Sequence, residues 1–364
     1  MMNEEGINIE QTASAIKTDA GLKRNLRKKK WKTLAQQYQL ILMSVPFVGI
    51  LALFSYLPLW GWIMAFQKYS VVKGIFGSEF VGLDQFIKLF SDDWFYIVLR
   101  NTLAMSLMHL ITSFAGAIGL ALLLNEVRSR LFKRTIQTIT YIPHFVSWVV
   151  IASIVTLVLS PDFGPLNELL LWLGIVDEPV FFLSKEKWFW VIHTMAGFWK
   201  ELGWSTIIYL AVLAGVDPAL YEAADVDGAG RFRKMIHISL PGLMPTASIL
   251  LILNTGYLIA TGYESQMLLG NNLVMEYSQV LDLYALNYSM QIGDYSYGIA
   301  ISMFISVVII LILHTIIAII LPLHTAMMRR SPGRVILIWL DVLACLRRAG
   351  FPRMRSATSF RRME

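Results

Sequence analysis

Residues 297–323 read YGIAISMFISVVIILILHTIIAIILPL, and this stretch decides the class of fold. It carries no Asp, Glu, Lys or Arg. About 20 helical residues, at 1.5 Å each, cover the ~30 Å hydrocarbon core of a bilayer. Five further apolar stretches of this kind precede it, at about 39–66, 97–124, 136–159, 188–215 and 242–263. Barrel strands would be ~10 residues long with strict alternation, which none of the six shows. The pattern predicts an all-α polytopic membrane protein, with six transmembrane helices in a bundle over residues 38–323.

Composition points the same way. Of 364 residues, 56% are hydrophobic and 15% charged, and mean hydropathy is +0.58. A soluble domain carries about 25% charge, so a soluble enzyme and a disordered chain are both excluded. The single cysteine, Cys345, rules out an intrachain disulfide or a cysteine metal cluster. Histidines at 109, 144, 193, 237, 314 and 324 show no metal spacing with a Glu or Cys companion, and read as structural. No nucleophile–base grouping stands out. No enzyme activity, cofactor or metal is expected.

Orientation follows from the basic residues. With the N-terminus inside, segments 1–37, 125–135, 216–241 and 324–364 carry 24 Lys/Arg, and the outside segments 67–96, 160–187 and 264–296 carry five. The positive-inside rule then places both termini in the cytoplasm of a plasma-membrane protein. The first stretch starts too late and runs too long for a cleaved signal peptide. The basic run before it reads as a topology signal, not a nucleic-acid site. Small residues in the second stretch (Ser113, Ala115, Ala117, Gly119) fit close helix approach, and equally fit ordinary membrane-helix composition.

The cytoplasmic segment 216–241, VDPALYEAADVDGAGRFRKMIHISLP, carries the most information. Helix formers run to Asp227, Gly228 breaks the helix, an amphipathic piece follows over 231–239, and Pro241 ends it. Helix, glycine turn, helix makes a compact docking element. Glu222 and Asp227 offer carboxylates. Ala223, Ala224 and Ala229 offer flat surface with little side-chain entropy to lose.

These residues resemble a known family. Glu222-Ala223-Ala224, then Asp227-Gly228-Ala229, then Pro241 match the EAA loop of binding-protein-dependent ABC importer permeases, with their MetI-like transmembrane domain. Tyr221 before the glutamate, the segment 293–297 (GDYSY) and the Lys200-Glu201 pair resemble the carbohydrate and polysaccharide branch. The resemblance implies that the loop seats in a dimer of cytoplasmic ATP-binding subunits, Glu222 pairing with a basic residue there, Gly228 setting the bend and Asp227 bracing it. It implies a second homologous permease subunit and an extracellular solute-binding lipoprotein. ATP hydrolysis comes from the partner, since the chain has no GxxxxGK[ST] motif. A permease for a non-sugar solute and a membrane-embedded glycan-processing enzyme stand as alternatives.

Two stripes are expected to line the substrate path. Lys200 and Glu201 each cost ~2.5–3.5 kcal/mol at a bilayer centre if unpaired, so they face the interior or a wet cavity. Gly197, Trp199 and Trp204 surround them. In the fifth stretch Asn254, Tyr257, Leu258 and Thr261 recur at helical spacing. Aromatic faces with amides and hydroxyls suit a sugar. An interhelical ion pair with ordinary aromatic packing is the other reading of these residues. Segment 264–296, with four acids and four tyrosines, either dips toward the cavity or is a plain polar loop. The basic tail 324–364 exceeds the family's usual length and reads as disordered or aberrant.

Overall fold

The computed structural model describes residues 37–256 and 258–328, and apart from one pair of two-residue strands its regular structure is helical. The segment up to residue 36, Tyr257 and the tail from 329 onward, Cys345 included, lie outside the described residues.

The chain divides into two units, Met1–Ile63 and Met64–Glu364. In the first, α1 (Tyr38–Leu51) contains Pro46 and passes into a π-helical turn, Ala52–Tyr56. Pro58, just past this turn, has no N–H for the Phe54 carbonyl four residues back and its ring would clash with it, and a wider turn relieves that clash. A 3-10 stretch, Leu57–Phe66, follows. The run Leu42–Phe66 is long and apolar enough to cross a membrane.

In the second unit, β1 (Gln67–Lys68) pairs antiparallel with β2 (Glu79–Phe80). After α2 (Asp84–Phe90), the Asp92 carboxylate accepts the Trp94 N–H at 2.9 Å and opens α3 (Asp93–Glu126). Next come amphipathic α4 (Arg130–Tyr141), α5 (Trp148–Val158), α6 (Pro165–Trp172) and α7 (Glu186–Leu213). Segment 216–241 supplies α8 (Pro218–Val226) and α9 (Arg231–Lys234), and α10 (Leu240–Thr255) follows. Three short helices, α11 (Glu264–Leu269), α12 (Met275–Ser278) and α13 (Leu281–Leu286), lead to α14 (Tyr295–Met328). Among the described residues four runs are long and apolar enough to span, and two bent helix pairs raise the number to as many as six.

The structure corrects two sequence expectations and decides a third that was open. The third stretch, 136–159, is not one continuous helix. Arg130–Phe145 and Trp148–Val158 meet at 108°. Pro143 cannot donate to the ladder and disfavours helix before it, so α4 stops at Tyr141. Ser147 caps the restart, accepting from Val150 N–H at 3.5 Å. Second, Pro241 does not end a separate surface helix. A π-helical turn, Met235–Ser239, joins α9 to α10, so Arg231–Thr255 is one 25-residue run. That run stops at Thr255, and residue 256 and residues 258–263 of the expected 242–263 span are non-helical. Third, segment 264–296 is no plain polar loop but part of the core.

The core explains the third point. Leu269, Val274 and Val280 pack with Met105 of α3, Ile151 of α5 and Phe189 of α7. Leu281, Tyr284 and Ala285 pack with Phe95, Val98, Tyr297 and Ile301. Backbone that is not helical at membrane depth must find partners inside the protein. Here the spans provide them. Asn101, with no exposure, donates to the carbonyls of Glu276 (2.7 Å) and Gln279 (3.1 Å). Thr102 Oγ1 accepts the Leu281 N–H at 3.0 Å, and Trp190 Nε1 donates to Tyr277 O at 2.9 Å.

Helices α3 and α7 form the most extensive helix pair. The close approach falls at Gly116, where a Cβ would stand 2.3 Å from the Phe198 ring, while Gly119 of the expected stripe meets nothing within 4 Å. Gly203 is tighter in kind: a Cβ there would lie 2.1 Å from the Thr140 carbonyl oxygen, so α7 crosses the end of α4 backbone to backbone.

Candidate functional site: a polar cavity and an exposed helical hairpin

The break between α4 and α5 leaves carbonyls without ladder partners. Lys200 of α7 meets them. Its Nζ donates to the carbonyls of His144 and Val146, both at 2.7 Å, and the residue is only 7% exposed. The ammonium therefore staples the broken segment, with the Glu201 carboxylate 4.0 Å away. Glu201 Oε2 lies 2.8 Å from His144 Nδ1. The His144 ring stacks on Trp204 at 4.4 Å with 3° between planes.

His144, Glu201 and Trp204 form part of the wall of a cavity of about 630 Å³. Alpha-helical geometry returns one face about every 3.6 residues, and α7 contributes His193, Gly197, Glu201, Trp204, Ser205 and Ile208 in that rhythm. Helix α3 adds Ser106, His109 and Ser113 from the opposite side. The broken segment adds His144 and Trp148. Asn254 projects from the last turn of α10, and Leu258 and Thr261 follow from the non-helical stretch beyond it. A Cβ on Gly197 would stand 3.1 Å from the His109 ring, so the glycine lets that ring reach the wall. Such a volume, mixing aromatic faces with amides, hydroxyls and imidazoles, is of the size and chemistry of small-molecule sites.

Of the residues expected along a substrate path, the cavity gathers Gly197, Glu201, Trp204, Asn254, Leu258 and Thr261. Trp199 is 45% exposed and outside the wall, and Lys200 is buried behind it. Tyr257 lies outside the described residues. Sequence reasoning missed His109, His144 and His193, which it read as structural. The available signal was that 193, 197, 201, 204 and 208 share one helical face.

Below the bundle, Asp217 accepts the Ala219 N–H at 2.9 Å and Pro218 takes the first helical position, which fixes the start of α8. Its end is a Schellman turn: Ala229 N–H donates to Ala224 O at 2.8 Å and Gly228 N–H to Asp225 O at 3.1 Å. Gly228 stands at φ +69°, the left-handed region. Asp225 pairs with Lys234 and clips α8 to α9, while Asp227 occupies the C-cap. Tyr221 OH and Ser239 Oγ lie 2.9 Å apart, tying α8 to the foot of α10. Glu222 and Ala223 are exposed and Ala224 half-buried. Val226 is 89% and Phe232 69% exposed, so this hairpin presents apolar surface beside carboxylates. Pro241 is exposed inside the Arg231–Thr255 run.

A helical membrane bundle with a partly open cavity that mixes aromatic, amide, hydroxyl and imidazole groups, beside an exposed helical hairpin, is the architecture of a permease subunit. The chain belongs to the family described as binding-protein-dependent transport system inner membrane component, whose model matches residues 118–325. It is 44% identical over 293 residues to the polygalacturonan/rhamnogalacturonan transport system permease protein YteP of Bacillus subtilis (strain 168), covering 80% of this chain and 91% of that one. To protein LplB of the same organism it is 41% identical over 288 residues, covering 79% and 87%. Among solved structures, a chain of a bacterial ABC transporter involved in the import of the acidic polysaccharide alginate superposes with a TM-score of 0.73 at 34% identity, covering 79% of this chain and 96% of that one. The chain is thus a multi-pass inner-membrane component of a binding-protein-dependent transport system.

Proposed function

We propose that this permease carries an oligosaccharide or polysaccharide fragment through the α3–α7–α10 cavity by alternating access, driven by ATP hydrolysis on a partner. The observation that carries this reading is the wall itself. Trp148 and Trp204 offer ring faces to sugar C–H surfaces, and Asn254, Thr261, Ser106 and the imidazoles offer hydrogen bonds to hydroxyls. Relatives named for polygalacturonan/rhamnogalacturonan, arabinooligosaccharide and alginate transport support the saccharide class.

In this reading the six-span domain covers residues 38–323, with both termini cytoplasmic. Segment 216–241 is the coupling element. Glu222, Ala223, Ala224, Val226 and Phe232 dock on one subunit of a cytoplasmic ATP-binding dimer, and the Gly228 turn transmits its closure to α10 through the continuous Arg231–Thr255 run. A second homologous permease closes the other side of the path, and an extracellular solute-binding lipoprotein delivers the cargo.

The test is sugar-stimulated ATP hydrolysis in vesicles holding both permeases, the ATPase and the binding protein, with trigalacturonate as probe and glycerol 3-phosphate as control. Stimulation by trigalacturonate alone supports the reading. Glu222→Ala is expected to abolish stimulation or co-purification of the ATPase. A Glu222→Ala complex that assembles and responds like wild type refutes the docking assignment, and stimulation by glycerol 3-phosphate instead of saccharides refutes the cargo class.

A further inference from the structure

Charge is scarce around the cavity, and it is unevenly placed. Among the described residues of the wall there is no Lys or Arg, and Glu201 is the single carboxylate. Its side chain is 30% exposed, beside the His144 ring at 26%. Oε2 lies 2.8 Å from His144 Nδ1, and Oε1 lies 4.0 Å from Lys200 Nζ. The Lys200 ammonium is closed to a ligand. Its side chain is 9% exposed, it stands behind the wall, and two of its three N–H groups go to the His144 and Val146 carbonyls at 2.7 Å. The Lys200–Glu201 pair is therefore a dipole whose negative end faces the cavity and whose positive end is buried.

A free carboxylate entering this space loses its hydration and finds no exposed cation to replace it, a cost that an uncharged sugar ring does not carry. It also meets the negative end of the dipole first. Two like charges about 7 Å apart, at an effective dielectric of about 20, shift a binding equilibrium by more than tenfold, and the more distant Lys200 cancels only part of that. Protonation of His144 would balance Glu201 without leaving a surplus cation, since the two are paired. Sugar hydroxyls fare differently. They are donors, and a carboxylate with one of its about four lone-pair sites used still accepts them. The stacked His144 and Trp204 rings lie beside it as a platform for sugar C–H surfaces. From this geometry we infer that the cavity selects uncharged saccharide units over uronates, and that Glu201 is the residue that discriminates. The inference rests on the saccharide reading proposed above and narrows its cargo: a uronate chain passes best where its carboxyls are esterified.

The probes are trigalacturonate and its methyl triester, which differ in charge and little else. Equilibrium binding to the purified complete transporter, without the binding protein and at about pH 7.5, above the ordinary imidazole pKa of about 6.5, reads the cavity directly. Stimulated hydrolysis with loaded binding protein is measured beside it. The wild type is expected to bind the triester about tenfold tighter than the free acid. Glu201→Gln keeps an oxygen for His144, removes the negative end and leaves Lys200 behind it. It should bring the two probes within about threefold of each other, or favour the acid. Glu201→Asp keeps the charge and should keep the wild-type preference. The partner permease is the same in all three complexes, so its residues do not enter the change in ratio. Equal binding of both probes by the wild type, or a preference unchanged in Glu201→Gln, overturns the inference and leaves the saccharide reading standing. If Glu201→Gln and Glu201→Asp weaken both probes alike, the residue is structural and the inference is again wrong. If loaded binding protein stimulates hydrolysis but neither probe binds the transporter, the cavity is not the cargo site and the inference fails. If neither probe binds or stimulates, the saccharide reading falls and takes this selectivity with it.

Discussion

Replacing Lys200 by methionine separates two roles that an ionisable residue in a membrane helix can play. Methionine keeps the length and apolar stem of the side chain and removes its three donors. In wild type, Nζ donates to His144 O and Val146 O at 2.7 Å each, on either side of the 108° break. Hydrogen bonds to charged groups contribute ~1.5–3 kcal/mol in water-soluble proteins, and orphaned buried acceptors cost a similar amount. Interhelical hydrogen bonds in membranes measure less, averaging ~0.6 with a maximum near ~1.7 kcal/mol, because the unfolded chain also finds partners. Removing a buried charge gives some energy back. The expected net loss is therefore about 1–3 kcal/mol. It is centred on the segment that holds His144 and Trp148 in the cavity wall. The assay is thermal unfolding of the purified complex, followed by tryptophan fluorescence, beside sugar-stimulated ATP hydrolysis. Lys200→Met should unfold several degrees lower and respond to cargo poorly. Lys200→Arg should recover only part, since a planar guanidinium does not reproduce a tetrahedral donor aimed at two carbonyls. A Lys200→Met complex that unfolds at the wild-type temperature but no longer responds to cargo would refute the staple and return Lys200 to the cargo path.

Gly203→Ala sets a methyl group 2.1 Å from the Thr140 carbonyl oxygen, whereas a methyl at Gly119 meets nothing within 4 Å. The first should cost several kcal/mol, read as lost assembly or a much lower unfolding temperature, and Gly119→Ala should be close to neutral. Gly228→Ala forces a side chain into φ +69°, a strain of ~1–2 kcal/mol. It should weaken stimulated hydrolysis with little change in insertion, as checked by ATPase co-purification. Burial pushes the Asp282 carboxyl above its ordinary value of 3.8, while the N–H groups of Gly262 and Thr261 pull it back down. Because the charged form is the disfavoured one in the fold, this group's contribution to stability falls as pH rises above 3.8. Asp282→Asn, which still offers an oxygen to the Gly262 N–H, should flatten that part of the pH–stability curve, measured by unfolding temperature from pH 4 upward.

Much of this protein is legible from local chemistry. Uninterrupted apolar runs such as 297–323 predict membrane helices because no other structure satisfies the backbone in lipid, and α14 follows. The hairpin is equally local. Asp217 and Pro218 start α8, and Gly228 ends it by taking a conformation other residues resist. Glu201 and Trp204 were found from helical spacing, since a charge and a ring on one face of a membrane helix point inward.

What remained hidden depends on partners remote in sequence. Pro143 marks a break, but the 108° bend persists because Lys200, 56 residues from His144, supplies its carbonyls with donors. Residues 256–262 look apolar enough to extend the fifth span, yet α10 stops at Thr255, and Leu258 and Thr261 reach the cavity from non-helical backbone. Segment 264–296 reads either as a plain polar loop or as one that dips toward the cavity. It is buried because Asn101, Thr102 and Trp190, on two other helices, satisfy its peptide groups. His193 reads as an isolated core histidine until Ser265, more than 70 residues on, comes within 2.9 Å of its Nε2. The sequence by itself determined the spans and the helical hairpin, whose causes are hydropathy and backbone preferences within a few residues. Only the tertiary structure decided where helices break and which side chains form the cavity, because at membrane depth a break is stable only where another segment supplies the missing hydrogen bonds.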